Sequence, residues 1–280
     1  MFDELIQLPL HTASAHNGCI DVHYAAAGSG DLLLLIHGSL CDLRYWRWQL
    51  KKLPAHVQVA ALSLPDYWPH HASLNPYATN FDFDLHVAAV ADVVQTLHLP
   101  QQKLYVLGHS RGAQVAAHYA WQHTEKVTGL ILADAAFNIN EATPALPVLQ
   151  EAALRLMQGD DESGLGLFID AVSGAHTWQK MVGWFKTMVQ DNAHTLIAQS
   201  QEALPSVSTA QIQQLAQTPT LLINGAHSPE RYQRSTQGLL HALPHAQHVV
   251  INKAAHGMNL ANPKAFDRAI LDFINQSCAL

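Results

Sequence analysis

The sequence predicts an α/β protein: a mostly parallel central sheet, helices on both faces, and a helical segment inserted late in the chain. Three observations carry that expectation. Six short runs, at 32–36, 57–64, 103–108, 129–133, 220–223 and 248–251, are continuously apolar instead of alternating, the pattern of strands buried on both faces. Between and after them, 84–97, 113–123, 231–242 and 263–275 carry apolar residues at three- and four-residue spacing, as helices that bury one face do. Of the gaps between strand starts, only that from 129 to 220 is far longer than one helical crossover needs.

In chain order, the apolar runs 5–10 and 20–25 flank a polar segment containing Asn17-Gly18 and are expected to form an antiparallel hairpin at one edge of the sheet. The strand at 32–36 then runs into His37-Gly38-Ser39, and the strand at 57–64 into Pro65-Asp66-Tyr67-Trp68-Pro69-His70-His71. The helices 84–97 and 113–123 lead to the strands 103–108 and 129–133. Within the long gap, 147–157, 163–172, 176–190 and 193–204 read as helices rich in Trp178, Met181, Trp184, Phe185 and Met188. We therefore expect a helical cap at roughly 138–208 on a core made of 1–137 and 209–280, with the cap's aromatics serving first as its own core. The strand 220–223, helix 231–242, strand 248–251 and helix 263–275 complete the chain, and no internal repeat appears.

Composition narrows the function. The 280 residues are 49% hydrophobic and 13% charged, ample for a buried core and unlike a disordered or fibrous chain. With 15 Lys+Arg against 22 Asp+Glu the formal charge is -7, and no run of five like charges occurs, so neither a nucleic-acid nor an anionic-membrane partner is expected. No apolar stretch approaches the ~18–20 residues that span a bilayer, and the acidic start Met1-Phe2-Asp3-Glu4 is unlike a secretory signal. Cys19, Cys41 and Cys278 offer neither a disulfide framework nor a metal knuckle, which favours a reducing compartment and a cytoplasmic location. Most of the 19 histidines are expected at the solvated surface. Among them His241, His245 and His248 have ligand-like spacing, but Pro244 and a predicted loop argue for solvent rather than metal. There is no GxxxxGK[ST], no complete GxGxxG after Gly28-Ser29-Gly30 and no HExxH, so no metal or cofactor is expected. The partner expected is a small-molecule substrate; oligomeric state is not encoded.

The chemistry gathers at Gly108-His109-Ser110-Arg111-Gly112, a G-x-S-x-G between a predicted buried strand and a predicted helix. A nucleophile on so tight a turn takes a strained backbone, and its neighbours two positions away must lack side chains. Serine needs a base to become a nucleophile, and His256 follows the last core strand, where the base is expected. The oxyanion formed on attack needs two backbone N–H donors. We expect them from Arg111, in the elbow itself, and from Ser39, after the His-Gly of the first core strand.

Hairpin, His-Gly strand end, Gly-His-Ser-Arg-Gly elbow, inserted helices and late histidine together resemble the α/β-hydrolase superfamily over essentially the whole chain. The resemblance implies that fold and a serine hydrolase acting on an ester or related acyl bond through an acyl-enzyme. Cleavage of a C–C bond next to a ketone by the same triad, and a non-catalytic ligand-binding protein on the same scaffold, are the alternatives. One departure concerns the acid that orients the base. Family members usually place it in a G-x-x-D-P-like segment after the cap, but here that segment is Gly225-Ala226-His227-Ser228-Pro229, with Ser228 in the acid's place. Asp134, ending the strand beside the nucleophile strand, is the favoured acid; certain haloalkane and fluoroacetate dehalogenases place theirs there. Glu230 could serve only if its loop bends back, and a Ser–His pair without a carboxylate is the remaining option. Fluoroacetate dehalogenases also carry Arg after the nucleophile, where it binds the substrate carboxylate, but their nucleophile is Asp. With Ser110 the dehalogenase and epoxide hydrolase reactions are not expected. The Arg111 side chain should then bind an anionic substrate or pair internally with Asp134 or Asp66. Trp46 and Trp68, in aromatic segments that follow strand ends, are expected to form an aromatic wall for the substrate or to pack under the cap.

Overall fold

The computed structural model describes residues 9–15, 20–69, 81–137, 139–140, 147–202 and 206–277. Its strands are β1 (His11–Ala15), β2 (Ile20–Ala27), β3 (Leu32–Ile36), β4 (Gln58–Leu62), β5 (Leu104–His109), β6 (Val127–Ala133), β7 (Thr220–Gly225) and β8 (Gln247–Ile251). They form one eight-stranded sheet in the order β1-β2-β4-β3-β5-β6-β7-β8. β1 pairs with β2 and β2 with β4 antiparallel; every later pairing is parallel. The helices are α1 (Arg47–Lys52), α2 (Phe83–Leu97), α3 (Arg111–Gln122), α4 (Pro147–Met157), α5 (Asp161–Ser173), α6 (Thr177–Lys180), α7 (Gly183–Asp191), α8 (Ala193–Gln201), α9 (Thr209–Gln213), α10 (Glu230–Ala242), α11 (Met258–Ala261) and α12 (Pro263–Ser277).

Continuous apolarity has the consequence anticipated for it. Leu32, Leu34 and Ile36 of β3 pack with Val87 and Val90 of α2 and Val115 of α3, while Leu33 and Leu35 pack on the other face with Leu50 of α1 and Ile270 of α12. A strand with a helix layer on each side has no polar face to spare. Between β6 and β7 lie α4 to α9; Leu149, Leu165, Phe168, Trp178 and Leu196 of α4 to α8 form a separate cluster with Leu40 from the loop after β3. Asp191 and Asn192 anchor these helices: Asp191 pairs with Arg44 at 2.7 Å, and Asn192 Nδ2 donates to Asp42 at 2.7 Å. None of the helices among the described residues is long and apolar enough to cross a membrane.

Two elements differ from expectation. The first hairpin strand is β1 at 11–15 rather than the apolar run 5–10, with Ala15 opposite Ile20 and His11 opposite Tyr24. An edge strand gets its pairing from the backbone register of its neighbour, and only Ala13 of its described side chains is buried, so it needs no apolar run. Residues 5–8, Asn17-Gly18, His70-His71, Cys19 and Cys278 lie outside the described residues. The helix expected at 176–190 is two helices, because Met181 and Val182 are extended (ψ 134 and 149) ahead of Gly183, a poor helix former.

Candidate active site

β5 ends at His109 and α3 begins at Arg111, so Ser110 makes the turn alone, at φ 56 and ψ −120. For a residue with a side chain such a backbone costs on the order of 1–3 kcal/mol. Packing enforces it: a Cβ on Gly108 would strike the backbone of Gly112, and one on Gly112 the carbonyl of His37. The turn is further pinned by the Ser110 N–H, which donates to the Ala133 carbonyl at 2.9 Å. Arg111, as the first residue of α3, has an N–H without an intrahelical acceptor.

His256 lies in the loop after β8, and His109 holds it there by donating from Nε2 to the His256 carbonyl at 2.8 Å. The His256 Nδ1 is 2.9 Å from Asp134 Oδ2. A carboxylate accepts only, so Nδ1 carries the hydrogen and Nε2 presents its lone pair. Asp134 stands immediately after β6 in a left-handed conformation (φ 41) and is fully buried. Ser228 Oγ donates to its Oδ2 at 2.6 Å and Asn224 Nδ2 to its Oδ1 at 2.9 Å. Three donors offset the desolvation of the carboxylate. The residue that replaces the usual acid thus contacts the carboxylate that hydrogen-bonds His256. Glu230 does not approach: its side chain is 79% exposed and pairs with Arg234.

The loop after β3 runs against the turn from the other side, where a Cβ on Gly38 would lie 3.0 Å from the Ser110 Cβ. His37 braces this loop, donating from Nδ1 to the Gly38 carbonyl at 2.9 Å and accepting from the Leu64 N–H at 3.0 Å. Burial pushes its pKa down to about 3, so it braces as a neutral ring. Ser39, Ser110 and His256 line one cavity together with Phe168, Val172, Met181 and Phe185 from the segment between β6 and β7; its volume is about 50 Å³. A larger hollow of about 650 Å³, near Thr218, Leu243 and Phe273, sits at the opposite ends of β7 and β8. We assign the smaller one as the candidate site, because open α/β sheets bind ligands at the carboxyl ends of their strands.

Three side chains take the structural rather than the substrate-facing role of the two the sequence allowed them. The Arg111 guanidinium forms a two-pronged pair with Glu202, at 2.5 and 2.8 Å, with the two side chains 3% and 8% exposed. Its NH2 group also donates to His86 Nδ1 at 3.2 Å, and burial together with this positive charge holds His86 well below the usual imidazole range. The pair is internal, as a buried charge requires, but its partner is neither Asp134 nor Asp66, and the guanidinium is not among the groups lining the cavity. Trp46 is fully buried, stacked on Phe266 at 6.3 Å, beneath the site rather than in its wall; its neighbour Tyr45 lines the cavity instead. Trp68 lies under the Arg44 guanidinium at 4.0 Å and does not line the cavity either.

The sequence reading missed Tyr232. Its ring stacks on His256 at 4.2 Å and 12°, and its hydroxyl is 3.2 Å from His256 Nε2. A tyrosine in the first turn of α10 carries no motif that would have flagged it.

Comparison with known proteins is consistent with this geometry. Residues 31–263 match the family model described as alpha/beta hydrolase fold. The chain is 26% identical over 265 residues to a pimeloyl-[acyl-carrier protein] methyl ester esterase of Yersinia enterocolitica, covering 91% of this chain and 98% of the relative. It is 24% identical over 267 residues to a putative carbamate hydrolase of Pseudomonas savastanoi, with 91% and 98% covered. Among solved structures, a putative aryl esterase from Burkholderia cenocepacia superposes with a TM-score of 0.79 at 17% identity, over 97% of this chain and 100% of that one.

Proposed function

The chain belongs to the α/β-hydrolase family, and from that premise we propose that it is a serine hydrolase cleaving a small-molecule ester through an acyl-enzyme. The observation that carries the reading is the hydrogen bond from His256 Nδ1 to the buried Asp134 carboxylate, in a site where Ser110 and His256 line one cavity. Ser110 Oγ attacks the ester carbon and gives its proton to His256 Nε2. Asp134 fixes the tautomer and balances the imidazolium that forms. The N–H groups of Ser39 and Arg111 hold the oxyanion of the tetrahedral intermediate. Collapse expels the alcohol, which takes the proton from Nε2; water, activated by the same nitrogen, then releases the acid.

In this reading the helices of 138–208 are a cap: Phe168, Val172, Met181 and Phe185 close the cavity over Ser110. The free, buried thiol of Cys41 is compatible with a reducing, cytoplasmic setting. The test is Ser110→Ala, assayed on short-chain aryl esters and by fluorophosphonate labelling. Loss of turnover to below about one part in a thousand is expected, with no label. Residual turnover above that level, or a wild-type protein that fails to label, would reject the reading in favour of another nucleophile or a non-catalytic binding protein.

A further inference from the structure

Tyr232 contacts His256, the group assigned above to proton transfer, and the serine hydrolase reading gives it no part. Its ring lies nearly parallel to the His256 imidazole, 12° between planes and 4.2 Å between centroids. The phenol oxygen therefore sits beside the imidazole plane, 3.2 Å from Nε2, whereas the Nε2 lone pair lies in that plane. On its other side the phenol oxygen accepts from Arg231 NH2 at 2.7 Å, and the Arg231 guanidinium lies 4.6 Å from the ring. An oxygen whose lone pair is taken by a cation directs its own hydrogen elsewhere, and that hydrogen becomes a better donor. Burial keeps the phenol protonated, raising its pKa despite Arg231. A donor with one hydrogen thus stands 3.2 Å from the nitrogen that exchanges protons with oxygen, behind His256 rather than in the cavity lining itself.

We propose that Tyr232, held by Arg231, is a further catalytic residue that donates a hydrogen bond to the leaving alcohol oxygen, and so suits the enzyme to esters of unactivated alkyl alcohols. In acylation the Ser110 Oγ–C bond forms, the proton of Oγ passes to Nε2, and the C–O bond to the alcohol breaks. The departing alkoxide accepts the hydrogen bond of Tyr232 while it takes the proton from Nε2, which leaves His256 neutral, Tyr232 protonated and the alcohol released. An alkoxide needs this help and a nitrophenolate does not. The proposal rests on Ser110 as nucleophile.

Tyr232→Phe keeps the stacked ring and removes only the hydroxyl. It is assayed with wild type on p-nitrophenyl, phenyl and ethyl acetate, and melting by circular dichroism compares the folds. We expect the ratio of kcat/KM for ethyl acetate to that for p-nitrophenyl acetate to fall about 10²-fold, the low end for general acid–base assistance. A tyrosine that merely packs against the imidazole would lower both rates by one factor, and an unchanged ratio overturns the proposal while leaving Ser110 as nucleophile intact. If Tyr232→Phe fails to fold, Arg231→Met keeps the phenol but removes the cation behind it. The same ratio should then fall by at least threefold, and an unchanged ratio there is equally fatal. A wild-type protein that hydrolyses none of the three esters and resists fluorophosphonate rejects both readings together.

Discussion

Asp134→Asn tests the acid with an almost isosteric change. The carboxylate receives His256 Nδ1 and Ser228 Oγ on Oδ2 and Asn224 Nδ2 on Oδ1. An amide offers one acceptor oxygen in place of two. If its oxygen takes the Oδ2 site, its NH₂ faces the NH₂ of Asn224, and Asn224 must turn over, surrendering the bond its Oδ1 makes with His248 Nε2 at 2.9 Å. If its NH₂ takes the Oδ2 site, it donates to His256 Nδ1, drives the hydrogen to Nε2 and leaves the base without a lone pair toward Ser110. The first arrangement keeps the tautomer but loses the negative charge that balances the imidazolium; the second loses both. The loss in kcat should be ~10⁴, about 5.5 kcal/mol at 1.36 kcal/mol per tenfold, as when an orienting carboxylate becomes an amide in a serine protease triad. Steady-state hydrolysis of p-nitrophenyl acetate reads it, with melting as the fold control. Because Ser228 Oγ lies 2.6 Å from Asp134 Oδ2, Ser228→Asp added to Asp134→Asn returns a carboxylate close to its former place and should recover at least tenfold. A loss below tenfold in Asp134→Asn would refute the assignment, and a full loss without recovery would show that a carboxylate at 228 cannot reach the imidazole.

Two further outcomes concern stability. Glu202→Gln leaves the 3%-exposed Arg111 charge without its partner and should destabilise by about 3–5 kcal/mol in denaturant titration, most of it recovered in Arg111→Met/Glu202→Leu; an effect under 1 kcal/mol would mean the pair is solvated. His37, His86 and His109 are held below the ordinary imidazole pKa chiefly by burial, so the unfolded chain binds more protons below about pH 6.5 and stability falls as pH drops. At pH 5.5 each such imidazole costs about 1.4 kcal/mol, about 4 kcal/mol for the three relative to neutral pH, and a denaturation midpoint unchanged between pH 7.5 and 5.5 would contradict their neutral burial.

What was legible in the sequence is what the backbone alone dictates. Gly108 and Gly112 announce themselves because a Cβ at either would strike backbone across a turn made by one residue, Ser110 stands between them, and His256 is found by the place after the last core strand that the family resemblance gives the base. Partnerships across the chain were not legible. Arg111 plainly needed a carboxylate, but Glu202 is 91 residues away at the end of a helix, and periodicity does not say which helix end returns to the sheet. Nor could it say that Tyr45 faces the cavity while Trp46 faces Phe266, since adjacent residues in a short turn have no strand-like alternation to sort them. Ser228 is the instructive case. Read alone it is a missing acid. In the sheet, β6 and β7 run parallel with Ala133 opposite Ile223, so the residue after β6 falls beside the end of β7 and within reach of Asn224 and Ser228. A carboxylate supplied from β6 is then clasped by two donors from the β7 side, the position usually given to the acid being one of them. Aspartate at 228 beside Asp134 would put two carboxylates in one dry site, where only one ionises readily; a hydroxyl there supplies the hydrogen bond that a buried Asp134 requires.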